Sequence, residues 1–159
     1  MTSALCSKSS ALYPLSDDAA DLSHSNTMAL ACTADSVLTL KNEAQLDEFM
    51  ANYGQDTKLN QPLFVLSGGS NVLLPAKLNA IVLRPQMLGI YVTAQTDSHV
   101  DIEVMAGENW HDLVVHTVVQ GWYGLENLAL IPGLTGAAPI QNIGAYGVQL
   151  EDCLQYVRA

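Results

Sequence analysis

Basic residues are scarce in this chain. Its 159 residues include six lysines and arginines against sixteen aspartates and glutamates, a formal charge of −10. Nucleic-acid binding needs clustered cations that displace counterions, and no such cluster occurs. An anionic membrane surface is disfavoured for the same reason. A small anionic ligand stays open only if main-chain N–H groups hold it. Cysteine is sparse too: Cys6, Cys32 and Cys153 are odd in number and form no C-x-x-C pair. Neither a disulfide framework nor a zinc site is indicated, and reduced thiols in a cytoplasmic protein are the expectation. Residues 1–21 carry Lys8 as their only base and lack an apolar core, so they do not read as a secretory signal. Nothing reads as a membrane span. The long uncharged stretch, residues 127–150, is broken by Pro132, Pro139 and four glycines.

What is present is globular. Hydrophobic residues make up 49% and charged residues 14%, which leaves room for one packed domain or two small lobes. Residues 1–25, rich in Ser, Ala and Asp, show no sustained periodicity and read as a loosely ordered leader. Residues 36–40 alternate like a short strand. Asn42 then caps a helix with Gln45 three residues on, and Ala44, Leu46, Phe49, Met50 and Tyr53 form its apolar face up to Gly54. Residues 63–66 are strand-like and run into Ser67-Gly68-Gly69-Ser70-Asn71, and a further strand follows at 80–83. Strand, helix, strand, turn, strand is the grammar of a small parallel αβ lobe.

The second half differs. Residues 90–94 and 100–105 read as two antiparallel strands around a polar turn, the second alternating Val and Ile with Asp and Glu. Asn109 caps a second helix, with Asp112 at its third position. Trp110, Leu113, Val114 and Val118 line one side, and Gly121 closes it. The chain's last residues, from about Cys153, read as a final strand, and its lack of a partner suggests a truncated C-terminus. The expected class is α+β: a first lobe at 26–85 and a second, incomplete lobe at 86–159.

Two constellations carry chemistry. The adjacent glycines of Gly68-Gly69-Ser70-Asn71 permit positive φ and let several N–H groups face one way, a nest that holds a diphosphate without cationic help. The run is not a Walker loop, which requires Gly-Lys-Ser/Thr, and it does not match G-x-G-x-x-G. Such a run is also compatible with an ordinary turn. Residues 124–150 have no charge between Glu126 and Glu151, are punctuated by Gly133, Gly136, Gly144 and Gly147, and fit neither the helical nor the strand period. Backbone lying against a flat, buried ligand explains such a segment, and a tight connection between lobes is the alternative. His111 and His116 are five apart, on different helix faces, with no third ligand following. Nothing places a second carboxylate or a nucleophile beside Glu108 or Glu126, and both read as helix-end or surface groups.

Ser70-Asn71-Val72-Leu73, Ala106-Gly107-Glu108-Asn109-Trp110-His111, Gly124-Leu125-Glu126-Asn127-Leu128-Ala129-Leu130-Ile131-Pro132-Gly133 and Pro139-Ile140-Gln141-Asn142-Ile143-Gly144-Ala145-Tyr146-Gly147 together resemble the UDP-N-acetylenolpyruvoylglucosamine reductase family. The last two motifs are long, ordered and specific, and the similarity runs from about Asn26 to the chain end.

That resemblance implies an FAD-binding domain of the vanillyl-alcohol-oxidase type, with FAD between two αβ lobes. It implies that Gly68, Gly69, Ser70 and Asn71 hold the diphosphate of FAD. By the same resemblance Ile131, Pro132, Gly133, Ile140 and Gly144 lie at the flavin, with Tyr146 on the side of the UDP-sugar substrate. The implied reaction passes a hydride from NADPH through FAD to an enolpyruvyl carbon, giving UDP-N-acetylmuramate in peptidoglycan precursor synthesis. The cofactor carries the redox step while the protein orients it and supplies a proton. The family's proton-donating serine, assisting glutamate and catalytic arginine lie downstream of every motif matched here. Arg158, in a Tyr-Val-Arg-Ala context and not Gly-Tyr-Arg, is not assigned that arginine's role. No catalytic residue is therefore expected in this chain, and no separate substrate domain, metal, membrane or obligate protein partner. Ala137 and Ala138 stand where some relatives have serines, so side-chain hydroxyl contacts to flavin are not expected there. A non-catalytic flavin- or nucleotide-binding module is the alternative reading.

Overall fold

The computed structural model describes residues 19–55 and 60–159. The first lobe is built on a four-stranded sheet in the order β1-β2-β4-β3. These strands are β1 (Ala20–Asp21), β2 (Thr33–Leu40), β3 (Leu63–Val65) and β4 (Lys77–Pro85). β2 and β3 both pair parallel with β4, and β1 adds an antiparallel edge along the start of β2. Helix α1 (Glu43–Asn52) links β2 to β3, so the parallel lobe expected from the sequence is present. A central parallel strand is buried on both faces and reads as a continuous apolar run. β4 fits: Ala80, Ile81, Val82 and Leu83 are all buried in succession.

Two apolar clusters use the two faces of this sheet. Leu38, Leu40, Ile81 and Leu83 pack with Phe49 of α1, and Leu22, Cys32, Leu66, Leu74 and Val82 form the other cluster. Asn42 caps α1 as its spacing predicts, accepting from the Gln45 N–H at 2.9 Å. The Gln45 side chain in turn accepts from the Lys41 N–H at 2.7 Å. The buried stripe of α1 is narrower than expected. Leu46, Phe49 and Tyr53 face the sheet, whereas Ala44 and Met50 are exposed. Those two fall outside the i, i+3, i+7 line that meets a flat sheet.

The second lobe holds the antiparallel pair β5 (Ile90–Gln95) and β6 (Val100–Val104), as its alternation predicts. Helix α2 (Trp110–Val119) follows, capped by Asn109, whose side chain accepts from the Asp112 N–H at 3.1 Å. Its buried face is Trp110, Leu113, Val114 and Thr117; Val118, placed on that face by the sequence reading, is 40% exposed. Thr117 has the correct phase and tolerates burial because its hydroxyl donates back to the Val114 carbonyl at 2.9 Å. Trp110, Leu113 and Val114 meet Leu128, Ala138, Ile143 and Leu150 in one cluster, which pins the glycine-rich segment to α2. A small hairpin, β7 (Gly144–Ala145) and β8 (Val148–Gln149), closes that segment.

Three expectations need correcting. Of the leader expected over residues 1–25, residues 1–18 lie outside the described residues, but the rest is built into the lobe. Ala20 and Asp21 form β1, and Leu22 is 1% exposed. The strand expected from Cys153 is absent: residues 150–152 form a 3-10 turn, and 154–159 have no regular structure. Strand conformation is retained only where a ladder partner is available, and none of the described strands pairs with this stretch. It is held by side chains instead. Gln155 donates to Asp101 at 2.8 Å, and Arg158 reaches Glu43 of the first lobe at 2.5 Å and Glu103 of β6 at 3.0 Å. Finally, both short strands grow, β2 to begin at Thr33 and β4 to span Lys77–Pro85. No helix among the described residues is long and apolar enough to cross a membrane.

Candidate functional site

The glycine-rich turn leaves the sheet directly after β3. Leu66 anchors it, buried and donating its N–H to Leu83 at 2.9 Å. Gly69 then takes φ +66, where a β-carbon is disfavoured, and a β-carbon there would also overlap the Ser25 carbonyl and stand 2.8 Å from the Asn26 Cα. The Gly69 carbonyl accepts from the Thr27 N–H at 3.2 Å. Among the described residues, the N–H groups of Gly68, Gly69, Ser70 and Asn71 donate to nothing. Successive unpaired amides in a turn make a concentrated positive edge suited to phosphate oxygens. The hydroxyl of Ser67, at the head of the same turn, is buried and unpartnered as well.

The second lobe meets this turn at Pro132 and Gly133. A β-carbon on Gly68 would stand only 3.3 Å from the Gly133 Cα, so the two backbones touch without side chains between them. The Ser70 hydroxyl donates to the Pro132 carbonyl at 3.2 Å. The Gly133 carbonyl accepts the Trp110 N–H at 3.1 Å, which ties this contact to the start of α2. Gln141 comes close to the same point, its amide 3.7 Å from where a Gly133 β-carbon would sit.

Gly68, Gly69, Ser70, Pro132 and Gly133 are thus brought together from opposite lobes. Ile131 is half-buried against the second-lobe core, and Asn71 is exposed at the end of the turn. Ile140 and Tyr146 stand farther along, 86% and 90% exposed, and Gly144 lies in β7. Tyr146 and Gly147 have φ +54 and +80, the pattern of a two-residue type I′ hairpin, so the turn itself lifts the tyrosine ring into solvent. Leu130 (φ +62) and Asn142 (φ +47) are also left-handed. Such backbone costs about 1–2 kcal/mol for a residue with a β-carbon, and three of the four non-glycine positions with positive φ among the described residues fall within 130–146.

At this meeting point Gly69 is buried, Ser70 and Gly133 are half-buried, and Gly68, Asn71 and Pro132 are exposed. A cavity of about 540 Å³ is walled by Glu43, Leu46 and Asp47 of α1, by β6 and α2, by Gly136 and Pro139 of the glycine-rich segment, and by the extended residues 154–159. A hollow of about 350 Å³ sits at the β7–β8 hairpin, lined by Asn142, Gly144 and Gly147 among others.

The acidic and imidazole groups near these segments serve the backbone. Glu108 accepts the Gly89 N–H at 2.6 Å, tying the residues before α2 to the start of β5 within the second lobe. The Gly124 N–H, 2.6 Å from Glu126, holds that carboxyl below its ordinary pKa range. His111 accepts from the Leu130 N–H at 3.3 Å, and His116 stands edge-on to Trp122. No group of three metal-ligating side chains occurs among the described residues. Sequence reasoning missed Ser25, Asn26 and Thr27, which wall the glycine turn, and Gln141. Asn26-Thr27 marks the start of the resemblance, but nothing in its spacing reveals contact with a turn more than forty residues away.

Residues 34–159 match the family model described as FAD binding domain. Over all 159 residues the chain is 91% identical to the UDP-N-acetylenolpyruvoylglucosamine reductase of Psychrobacter arcticus and 86% identical to that of Psychrobacter cryohalolentis. It is 45% identical over 139 residues to the enzyme of the same name from Bordetella pertussis. The chain spans 43% of the length of each Psychrobacter relative and 38% of the Bordetella one. Among solved structures it resembles UDP-N-acetylenolpyruvylglucosamine reductase from Thermus caldophilus. The TM-score is 0.62 at 22% identity, over 83% of this chain and 44% of that one, a likeness of fold.

Proposed function

The chain belongs to the FAD binding domain family, and from that premise we propose that it is the flavin-binding portion of a UDP-N-acetylenolpyruvoylglucosamine reductase acting in peptidoglycan precursor synthesis. The observation that carries this reading is the run of unpaired amides at Gly68, Gly69, Ser70 and Asn71, set against the bare backbone of Pro132 and Gly133. In a chain of net charge −10, main-chain dipoles are the means left to hold a diphosphate. The residues present fit such a group: four donors, no carboxylate among them, and no β-carbon where Gly68 meets Gly133.

In this reading the 68–71 amides bind the diphosphate of FAD, and Ser70 fixes their position relative to Pro132. Ile131, Pro132, Gly133, Ile140 and Gly144 form the surface that receives the flavin ring, and Tyr146 faces the UDP-sugar. Bound FAD supplies hydride transfer, with NADPH as the donor. The chain's own residues bind and orient. We assign no proton donor among them, and the Arg158 guanidinium is engaged by Glu43 and Glu103.

The test is a titration of the purified chain with FAD, followed by flavin fluorescence and visible absorbance. Saturable quenching with a perturbed flavin spectrum is expected. A chain that melts cooperatively yet leaves both signals unchanged would overturn the proposal.

A further inference from the structure

We propose that Asn26 is a positioning residue for the diphosphate turn, acting through the Ser25–Thr27 backbone; the inference rests on the flavin-binding reading above. Asn26 is only 7% exposed, and its side chain uses both of its ends. Its oxygen accepts from the Leu30 N–H at 2.9 Å. Its nitrogen donates to the carbonyls of Leu22 at 3.2 Å, Leu30 at 3.1 Å and, more weakly, Ser23 at 3.4 Å. One amide therefore closes the loop between β1 and β2 on itself.

That loop is the wall behind the glycine turn. The Ser25 carbonyl and the Asn26 Cα occupy the space a β-carbon on Gly69 would fill, and Thr27 binds the Gly69 carbonyl through its N–H. The wall holds one face of the Gly69 peptide, and a flip of that peptide would break the bond from the Thr27 N–H to its carbonyl. The amides that follow are then kept free for a ligand. Without the Asn26 bracing, the loop can withdraw, the Gly69 carbonyl loses its donor, and a peptide rotation would turn an acceptor toward the phosphates. Asn26 touches no ligand in this account; it acts through Thr27 and Gly69.

Asn26→Asp is the sharpest variant, because it keeps the shape but sets an acceptor against three carbonyls. The wild-type chain and the variant are titrated with FAD and with riboflavin, which lacks the phosphates, and each is melted without ligand. The expected result is at least a tenfold weaker FAD affinity with riboflavin affinity unchanged within twofold. Equal FAD affinity in the two chains overturns the inference, as does a parallel loss for both flavins, which is what a merely structural role would produce. If Asn26→Asp does not fold, Asn26→Ser is read by the same criteria, with a threefold selective loss expected. A wild-type chain that binds no FAD overturns the flavin reading itself, whereas wild-type binding with an indifferent variant overturns only the role of Asn26.

Discussion

The Ser70 hydroxyl donates to the Pro132 carbonyl at 3.2 Å, a side-chain bond between two motifs 62 positions apart and from opposite lobes. It sits beside the contact of Gly68 with Gly133, so it sets the spacing of the two surfaces assigned to FAD. A hydrogen bond of this kind contributes about 1 kcal/mol net. Ser70→Ala should lower the melting temperature by only about 2–4 °C, as expected for roughly 1 kcal/mol in a chain of this size. FAD affinity should fall several-fold. An unchanged affinity would mean that the bond does not set the spacing.

Gly69 bears two constraints at once, a left-handed φ of +66 and the neighbouring Ser25 carbonyl. A β-branched residue meets both penalties. Gly69→Val should destabilise the fold by more than about 2 kcal/mol, the upper figure for the backbone strain alone, and should abolish FAD binding. Urea denaturation reads the first effect. A midpoint within error of wild type, or normal flavin quenching in a folded variant, would refute the account.

Local signals are legible in the sequence, and long-range ones only where a strong motif carries them. Both helix caps, Asn42 and Asn109, are legible because capping depends on residues three apart. The β5–β6 pair is legible because alternation and a polar turn are local too. Hydropathy favours Val118 on the buried face of α2, whereas geometry chooses Thr117, at i+7 from Trp110. β1 and the loop that Asn26 closes were invisible because two residues of strand and a polar loop have no period. The C-terminal stretch is the reverse case: its strand-like residues find no ladder partner among the described strands. Of the candidate site, the glycine turn and the 131–133 segment could be named from the sequence. Their direct contact could not, since no spacing rule links residues 68 and 133.

Trp110 connects the site to the second-lobe core. It is 2% exposed, and its indole N–H donates to the Leu128 carbonyl at 2.8 Å. Trp110→Phe keeps a ring but leaves that buried carbonyl unpaired, a cost of about 1–3 kcal/mol. Because the Trp110 N–H also holds Gly133, a main-chain bond the variant retains, FAD affinity should change less than stability does. Thermal melts and FAD titrations on the same preparation check the two arms.

Arg158 pairs with Glu43 and Glu103, one from each lobe, but all three side chains are well exposed. Exposed ion pairs contribute about 0.2–1 kcal/mol each and are screened by salt. Arg158→Ala should therefore lower stability by no more than about 1–2 kcal/mol in dilute buffer, and most of that difference should vanish in roughly 1 M sodium chloride. A loss that persists at high salt would point to packing of the arginine stem.

Cys32 is 1% exposed between the loop closed by Asn26 and the first-lobe core. Burial, with a smaller contribution from the Asp21 charge, pushes its thiol pKa up. A group whose pKa is higher folded than unfolded adds stability that is complete below the unfolded value, here about 8.5. That contribution is lost as the pH rises toward the folded value, because only the unfolded chain can then release the proton freely. Cys32→Ala removes the titration while leaving a small apolar side chain in place. The stability gap between the wild-type chain and Cys32→Ala should be constant from about pH 6 to 8 and should shift steadily against wild type above about pH 8.5. Parallel urea titrations across that range measure it. A gap that stays flat to pH 10 would show that the thiol of Cys32 does not titrate differently in the folded and unfolded chain.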